Sequence, residues 1–407
     1  MVTLALTLAL AAAPKHPWTS FKPGAWAQYI VGDTEYRRGA LSLMKVEGSR
    51  VTVLGWGALK DESGWEEAGA GCAACVASKP AKKRTVELNG KQVSCDVFEY
   101  RSESAVKREC RAASFDMPLI IESEPLGDDV GFTMTATATE VPFFVSGKKL
   151  MGVRYEGTRT SGATMTEVRS SSVPGGLVMQ FVENTKTGKV NLRALEAFGV
   201  SGQPVDTAVT KSAWHPWASH SVGSWVKVKG SEGVSRTGLA AVTDTTMSFE
   251  GSPKQAHARG EREAASDPTS TFTGVLMVNV AGREYPCVLW MFQGKDQNGG
   301  EYTRRDCLSP FSRVPIYSEE KGSIAGVSYL DTWVAKTLEV PGKVGKHDVS
   351  LVTLQRTQKI SNGASNKAEV VVSPDVPGGT VTWTPHLELN GVLKMEVSQQ
   401  AIDFGSR

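Results

Sequence analysis

Six cysteines are the residues of this 407-residue chain whose type and spacing first suggest chemistry. Cys72-Ala-Ala-Cys75 has the spacing of a redox-active dithiol, which works by lowering the pKa of one thiol, usually at a helix N-terminus that follows a strand. Here Gly71 precedes the pair and Val76-Ala-Ser-Lys-Pro80 follows, which leaves room for only a very short helix. A zinc site needs two further ligands, and no second C-x-x-C or H-x-x-x-H supplies them. A local loop disulfide is therefore the favoured reading of Cys72 and Cys75. The neighbouring Lys82-Lys83-Arg84 is read as a solvated loop.

The other reactive residue types do not converge. The six histidines, His16, His215, His220, His257, His347 and His386, include no pair with metal-ligand spacing on one element. There is no G-x-S-x-G elbow and no G-x-x-x-x-G-K-[ST] loop. Adjacent carboxylates such as Asp61-Glu62, Glu66-Glu67 and Asp128-Asp129 would face opposite ways on a strand. No catalytic residue, metal or cofactor is expected. Tryptophan is the informative type. Trp26 and Trp225 recur in matched contexts, and Trp290 and Phe292 share one face of a strand, Tyr285 to Phe292, that is apolar on both faces. Core packing is the default for these four; a ligand wall is the sharper alternative.

The elements that must position them come in two sets. His16-Pro17-Trp18-Thr-Ser-Phe-Lys-Pro-Gly24-Ala-Trp26 reappears as His215-Pro216-Trp217-Ala-Ser-His-Ser-Val-Gly223-Ser-Trp225. Gly90-Lys-Gln-Val-Ser-Cys95 then matches Gly282-Arg-Glu-Tyr-Pro-Cys287, and Cys110 matches Cys307. Met117-Pro118-Leu119 matches Val314-Pro315-Ile316, and Val173-Pro174-Gly175-Gly176 matches Val376-Pro377-Gly378-Gly379. Landmarks repeated in one order predict two copies of one domain, 16–200 and 215–405, joined by a linker over 201–214. The matched cysteines choose the pairing: Cys95 with Cys110, and Cys287 with Cys307, each a structural staple.

Each copy reads as antiparallel β-structure. Val86-Glu-Leu88 and Val93-Ser-Cys95-Asp-Val97 alternate around Asn89-Gly90, the preferred pair of a type I′ hairpin turn. Pro followed by Gly in each V-P-G-G segment is the type II signature. The fold class expected is mainly β, two tandem curved antiparallel sheets resembling half-barrels. A few short helices are expected, the first copy's around Ala194 to Phe198.

Composition bounds the partners. With 45 Lys+Arg against 43 Asp+Glu, the net charge is +2, which offers no basic field for nucleic acid. No apolar run reaches the ~20 residues of a membrane helix. Residues 1–13, apolar from Val2 to Ala13 with Ala9-x-Ala11 near their end, are expected to be a signal peptide. Export to the periplasm or beyond agrees with disulfides.

The order of G-x-W, G-[KR]-x-[YV]-x-C and V-P-G-G resembles a group of exported bacterial proteins of unassigned role. More distantly, it is similar to the lipoprotein-sorting carriers and related half-barrels, the LolA/LolB-like fold. That resemblance implies a curved sheet around an apolar cavity, closed by short helices and holding acyl chains. The function expected is therefore non-enzymatic binding of an apolar or lipid-like amphiphilic ligand, with Trp26, Trp225, Trp290 and Phe292 as candidate contacts. The alternative is a structural or protein-interaction module of the cell envelope with an envelope protein as partner. A C-x-x-C oxidoreductase or a hydrolase ranks below both.

Overall fold

The computed structural model describes residues 17–33, 35–47, 50–62, 64–67, 82–101, 105–127, 130–145, 148–202, 217, 220–242, 246–250, 262–264, 271–295, 300–312, 314–324, 326–361, 363–389, 392–395 and 399–406. Residues 1–13, expected to be a signal peptide, nearly all of the expected linker 201–214, and Cys72 with Cys75 lie outside them. The described residues divide into two compact units, each carrying one antiparallel sheet.

The sheets share one plan. In the first, of 13 strands, the opening strand Trp26–Gly32 pairs with the closing strand Lys189–Gly199. From there the chain steps strand by strand to two edges, Gly64–Glu67 on one side and Lys82–Leu88 on the other. The second sheet, of 14 strands, pairs Trp225–Gly230 with Gln399–Gly405 and ends at Arg262–Ala264 and Thr271–Val280. A short strand, Val392–Met395, lies off this path and pairs Thr380–Leu389. Each sheet is thus a meander whose ends meet in its middle and whose edges fall at the same step of the chain. Cys72 and Cys75 belong to the connection between the first sheet's edge strands.

Irregularities match as well as strands do. The opening strands are bulged at Gln28/Tyr29 and at Lys227/Val228. The next pairings are bulged after Leu43 and after Leu239. A third bulge falls at Val168/Arg169 and at Val371/Val372. Bulges bend strands and sharpen twist, which is how sheets this wide curve. Glu140 (φ 58°) and Glu339 (φ 55°) take the same left-handed conformation within the longest strands.

The turns follow the sequence. Asn89 and Gly90 both have positive φ (51° and 73°), as a type I′ turn requires, and Ala281-Gly282 repeats this (51° and 83°). In the first V-P-G-G segment, Gly176 N–H donates to Val173 C=O at 2.8 Å, and Gly175 takes φ 78°. The Trp18 indole packs on Gly175, and Trp217 packs on Gly378 in the same way. The repeated tryptophan thus caps the repeated turn.

Cys95–Cys110 and Cys287–Cys307 are both bonded, with Cα atoms 5.4 Å apart. Each sits in its unit's core, with Val86, Leu119 and Met134 in the first and Val280, Ile316 and Leu354 in the second. Two expectations need correction. Residues 194–198 are not helix; they lie within Lys189–Gly199, paired with Trp26–Gly32, and Ala194 also with Met179 on the other side. Ala and Leu favour helix locally, but ladder pairing with the opening strand overrides that weak preference. Lys82-Lys83-Arg84 opens an edge strand instead of lying in a loop, as charge on an edge deters pairing with other chains. The only helical turns among the described residues are Pro17–Ser20 and Lys60–Glu62.

Candidate functional site

The four aromatic candidates do different things. Trp26 is buried, packs on Gly199 and donates Nε1–H to Ser201 C=O at 3.2 Å. It ties the start of the first sheet to its end. Trp225 packs on Gly405 in the matching place, half-buried, with the Arg236 guanidinium 4.7 Å and the Lys227 ammonium 5.5 Å from its ring. Trp290 is buried edge-on to Phe272, with ring centroids 5.9 Å apart. Phe292 is fully buried, with the Arg304 guanidinium 4.1 Å from its ring.

Strand pairing places polar groups beside these last two rings. Trp290 stands opposite Asp306, and Asp306 opposite Ser318. Asp306 is buried and accepts bonds from Ser318 Oγ (2.6 Å) and Arg304 Nε (3.1 Å). Burial pushes its carboxyl above the ordinary range, against the pull of Arg304 and Ser318.

The same row continues to residues that sequence reasoning did not single out. Ser318 faces Trp333, which faces Arg356, which faces Ala368. Trp383 joins this group from two strands away, its ring 5.7 Å from that of Trp333 at 59°. Arg356 sits against both rings, 5.3 and 5.6 Å from their centroids. Asp331 holds the guanidinium, accepting from Nε at 2.9 Å and from Nη2 at 2.5 Å. Beside Asp331 in register lie Gln358 and Asn366, joined by an amide hydrogen bond of 3.1 Å. Both tryptophans are half-buried and rest on the core that holds Ala335, Leu354 and Val370. The result is a bent aromatic surface carrying fixed hydrogen-bonding groups.

The first unit fills the matching positions differently. There Met134 stands for Trp333, Gly157 for Arg356 and Gln180 for Trp383. Met134 is fully buried, and a Cβ at Gly157 would come within 2.0 Å of the Thr133 carbonyl oxygen. Position 157 therefore admits no side chain to match Arg356. One row away, Leu354 and Val370 are matched by Tyr155 and Glu167. Glu167, 1% exposed, accepts from Arg169 Nε and Gln180 Nε2, both at 2.6 Å.

Sequence could have flagged Trp383 through the alternation of Val381-Thr-Trp383. Nothing in sequence joins Arg356 to Asp331, 25 residues away, before their strands pair.

Of the histidines, His220 is the most constrained. Its ring lies edge-on to Trp217, and its Nε2 has no partner among the described residues. Burial pushes the imidazole below its usual pKa, while hydrogen bonds to the Pro374 and Val376 backbone pull it up. The fold therefore favours neutral His220. Its contribution to stability is complete above the unfolded pKa of 6.5 and declines as pH falls below it. Asp375 nearby, whose carboxyl burial pushes up, contributes with the opposite sign. Replacing His220 with Phe, the residue at matching position 21, should flatten the decline in thermal stability between about pH 7 and about pH 5. An unchanged slope would assign that decline to other groups.

Among the described residues no three His, Cys, Asp or Glu side chains group to hold a metal ion, and no helix is long and apolar enough to cross a membrane. No known protein family matches the chain, and no curated protein does. A solved structure, MucB in complex with MucA(peri), aligns over 84% of this chain and 90% of that one, at 8% identity and a TM-score of 0.21. A TM-score that low carries neither fold nor function across.

Proposed function

We propose that this chain is an exported, non-catalytic binding protein made of two diverged copies of one β-sheet domain, 16–200 and 215–405, behind a signal peptide over 1–13. The second copy holds an amphiphilic ligand on the surface built by Trp333, Arg356 and Trp383. The observation that carries this reading is the contrast between the units at matched positions. Met134, Gly157 and Gln180 stand in one, and two half-buried tryptophans with an arginine against both rings stand in the other. Packing alone needs neither a half-buried tryptophan pair nor a guanidinium set against both of its rings, whereas rigid aromatic groups with placed polar partners are common in ligand sites. Export, to the periplasm or the medium, is supported by two buried disulfides, which persist in oxidising compartments.

Native mass spectrometry of the protein exported into a periplasm tests the reading. A stoichiometric extra mass is expected, and it should be lost from Trp383→Gln, which installs the residue of matching position 180. A bare chain mass from the unaltered protein, at concentrations that retain micromolar ligands, would sink it.

An envelope protein-interaction module is the second reading, favoured by the edge strand Thr271–Val280. Its ten residues carry no charge, whereas the other unit's edge opens with Lys82-Lys83-Arg84. Uncharged edges are templates for strand addition.

A further inference from the structure

We infer that the ligand of the Trp333–Arg356–Trp383 surface is an oligosaccharide and not an acyl chain; this rests on the binding reading above. An acyl chain needs an enclosed apolar slot. Behind the two rings, Ala335, Leu354 and Val370 are themselves buried and fill the space with side chains. Beside them lie fixed, partly exposed polar groups: the Arg356 guanidinium, held by the buried Asp331 carboxylate, and the Gln358–Asn366 amide pair. Hydrocarbon laid over them would strip their remaining hydration and return no hydrogen bond, a penalty of order 1–3 kcal/mol per group.

A pyranose meets both demands. Its C–H face is apolar and flat enough to lie on an indole, and its rim of hydroxyls both donates and accepts. Arg356 keeps donors beyond those given to the buried Asp331. The Gln358 and Asn366 amides offer both donor and acceptor. The rings tilt by 59°, so successive sugars on the two indoles would follow a bent chain, not a flat ribbon. The two arms of the site are rigid because each is set by strand register, which holds the ordering penalty of binding low.

The experiment is isothermal titration of the full exported protein with three probes: N-acetylchitohexaose, cellohexaose and palmitate. We expect at least one oligosaccharide to bind, palmitate not to bind, and Trp383→Gln and Arg356→Lys each to weaken the sugar by about tenfold. Far-ultraviolet circular dichroism and the melting temperature show that both variants are folded. Binding of palmitate alone, weakened by Trp383→Gln, would overturn the saccharide assignment and leave the binding surface standing. Binding of none of the three would also overturn it, and the native mass measurement then decides the binding reading by itself. Sugar binding untouched by either substitution would move the site elsewhere and overturn the assignment here.

Discussion

Replacing Glu167 with valine should destabilise the first sheet unit by about 3 kcal/mol, the lower end of the range for breaking a buried ion pair. The Glu167 carboxylate is almost wholly buried and takes one bond from Arg169 and one from Gln180. Removing it leaves the Arg169 guanidinium inside the sheet without its hydrogen-bonded carboxylate. The effect stays at the lower end because about a quarter of the Arg169 side chain (24%) reaches solvent and keeps part of its hydration. The second unit supplies the control. Its matching residues are Val370 and Val372, both buried in an apolar core. Glu167→Val combined with Arg169→Val should therefore recover most of the loss, because replacing both members of a buried pair by well-packed apolar groups is often neutral or favourable. Calorimetry of the two single variants and the double variant gives the coupling directly. If the loss in the double variant equalled the sum of the two single losses, the pair would not act as a unit.

Removing the Cys287–Cys307 bridge has an effect of similar size and different origin. The bridge joins residues 20 apart in sequence, so opening it restores about 3 kcal/mol of chain entropy to the unfolded state. For a unit of this size that corresponds to a fall in Tm of about 6–12 °C. Both cysteines are buried among Val280, Tyr285 and Val314, so alanine in both places adds a packing loss. The measurement is the melting temperature of the Cys287→Ala, Cys307→Ala protein against the parent. The loop of 15 between Cys95 and Cys110 should behave in the same way in the first unit. A Tm unchanged within error would mean that neither loop closure nor local packing limits the second unit.

Much of the architecture was legible in sequence, for local reasons. Asn89-Gly90 demands positive φ at two successive positions, and few turns accept that. Val173-Pro174-Gly175-Gly176 allows few turn types, and alternation from Val93 to Val97 leaves one face buried. The cysteine pairs could be assigned because only one pairing repeats. Ala194 to Phe198 misled for an equally local reason: alanine and leucine speak for helix until neighbouring strands claim the backbone.

The candidate site was only half legible. Trp290 and Phe292 stood out because their strand is apolar on both faces, yet their rings are buried beside Phe272 and Arg304. Trp333, Arg356 and Trp383 passed unnoticed among ordinary alternating strands. By itself the sequence determined the strands, their turns, the cysteine pairing and the repeated order of landmarks, because each depends on a few adjacent residues or on comparing one half with the other. Only the tertiary structure decided that Arg356 lies against two tryptophans and is held by Asp331, and that the matching position of the first unit, Gly157, admits no side chain. Those facts depend on the register of strands far apart in the chain, and a register slip of one residue sends every side chain to the opposite face.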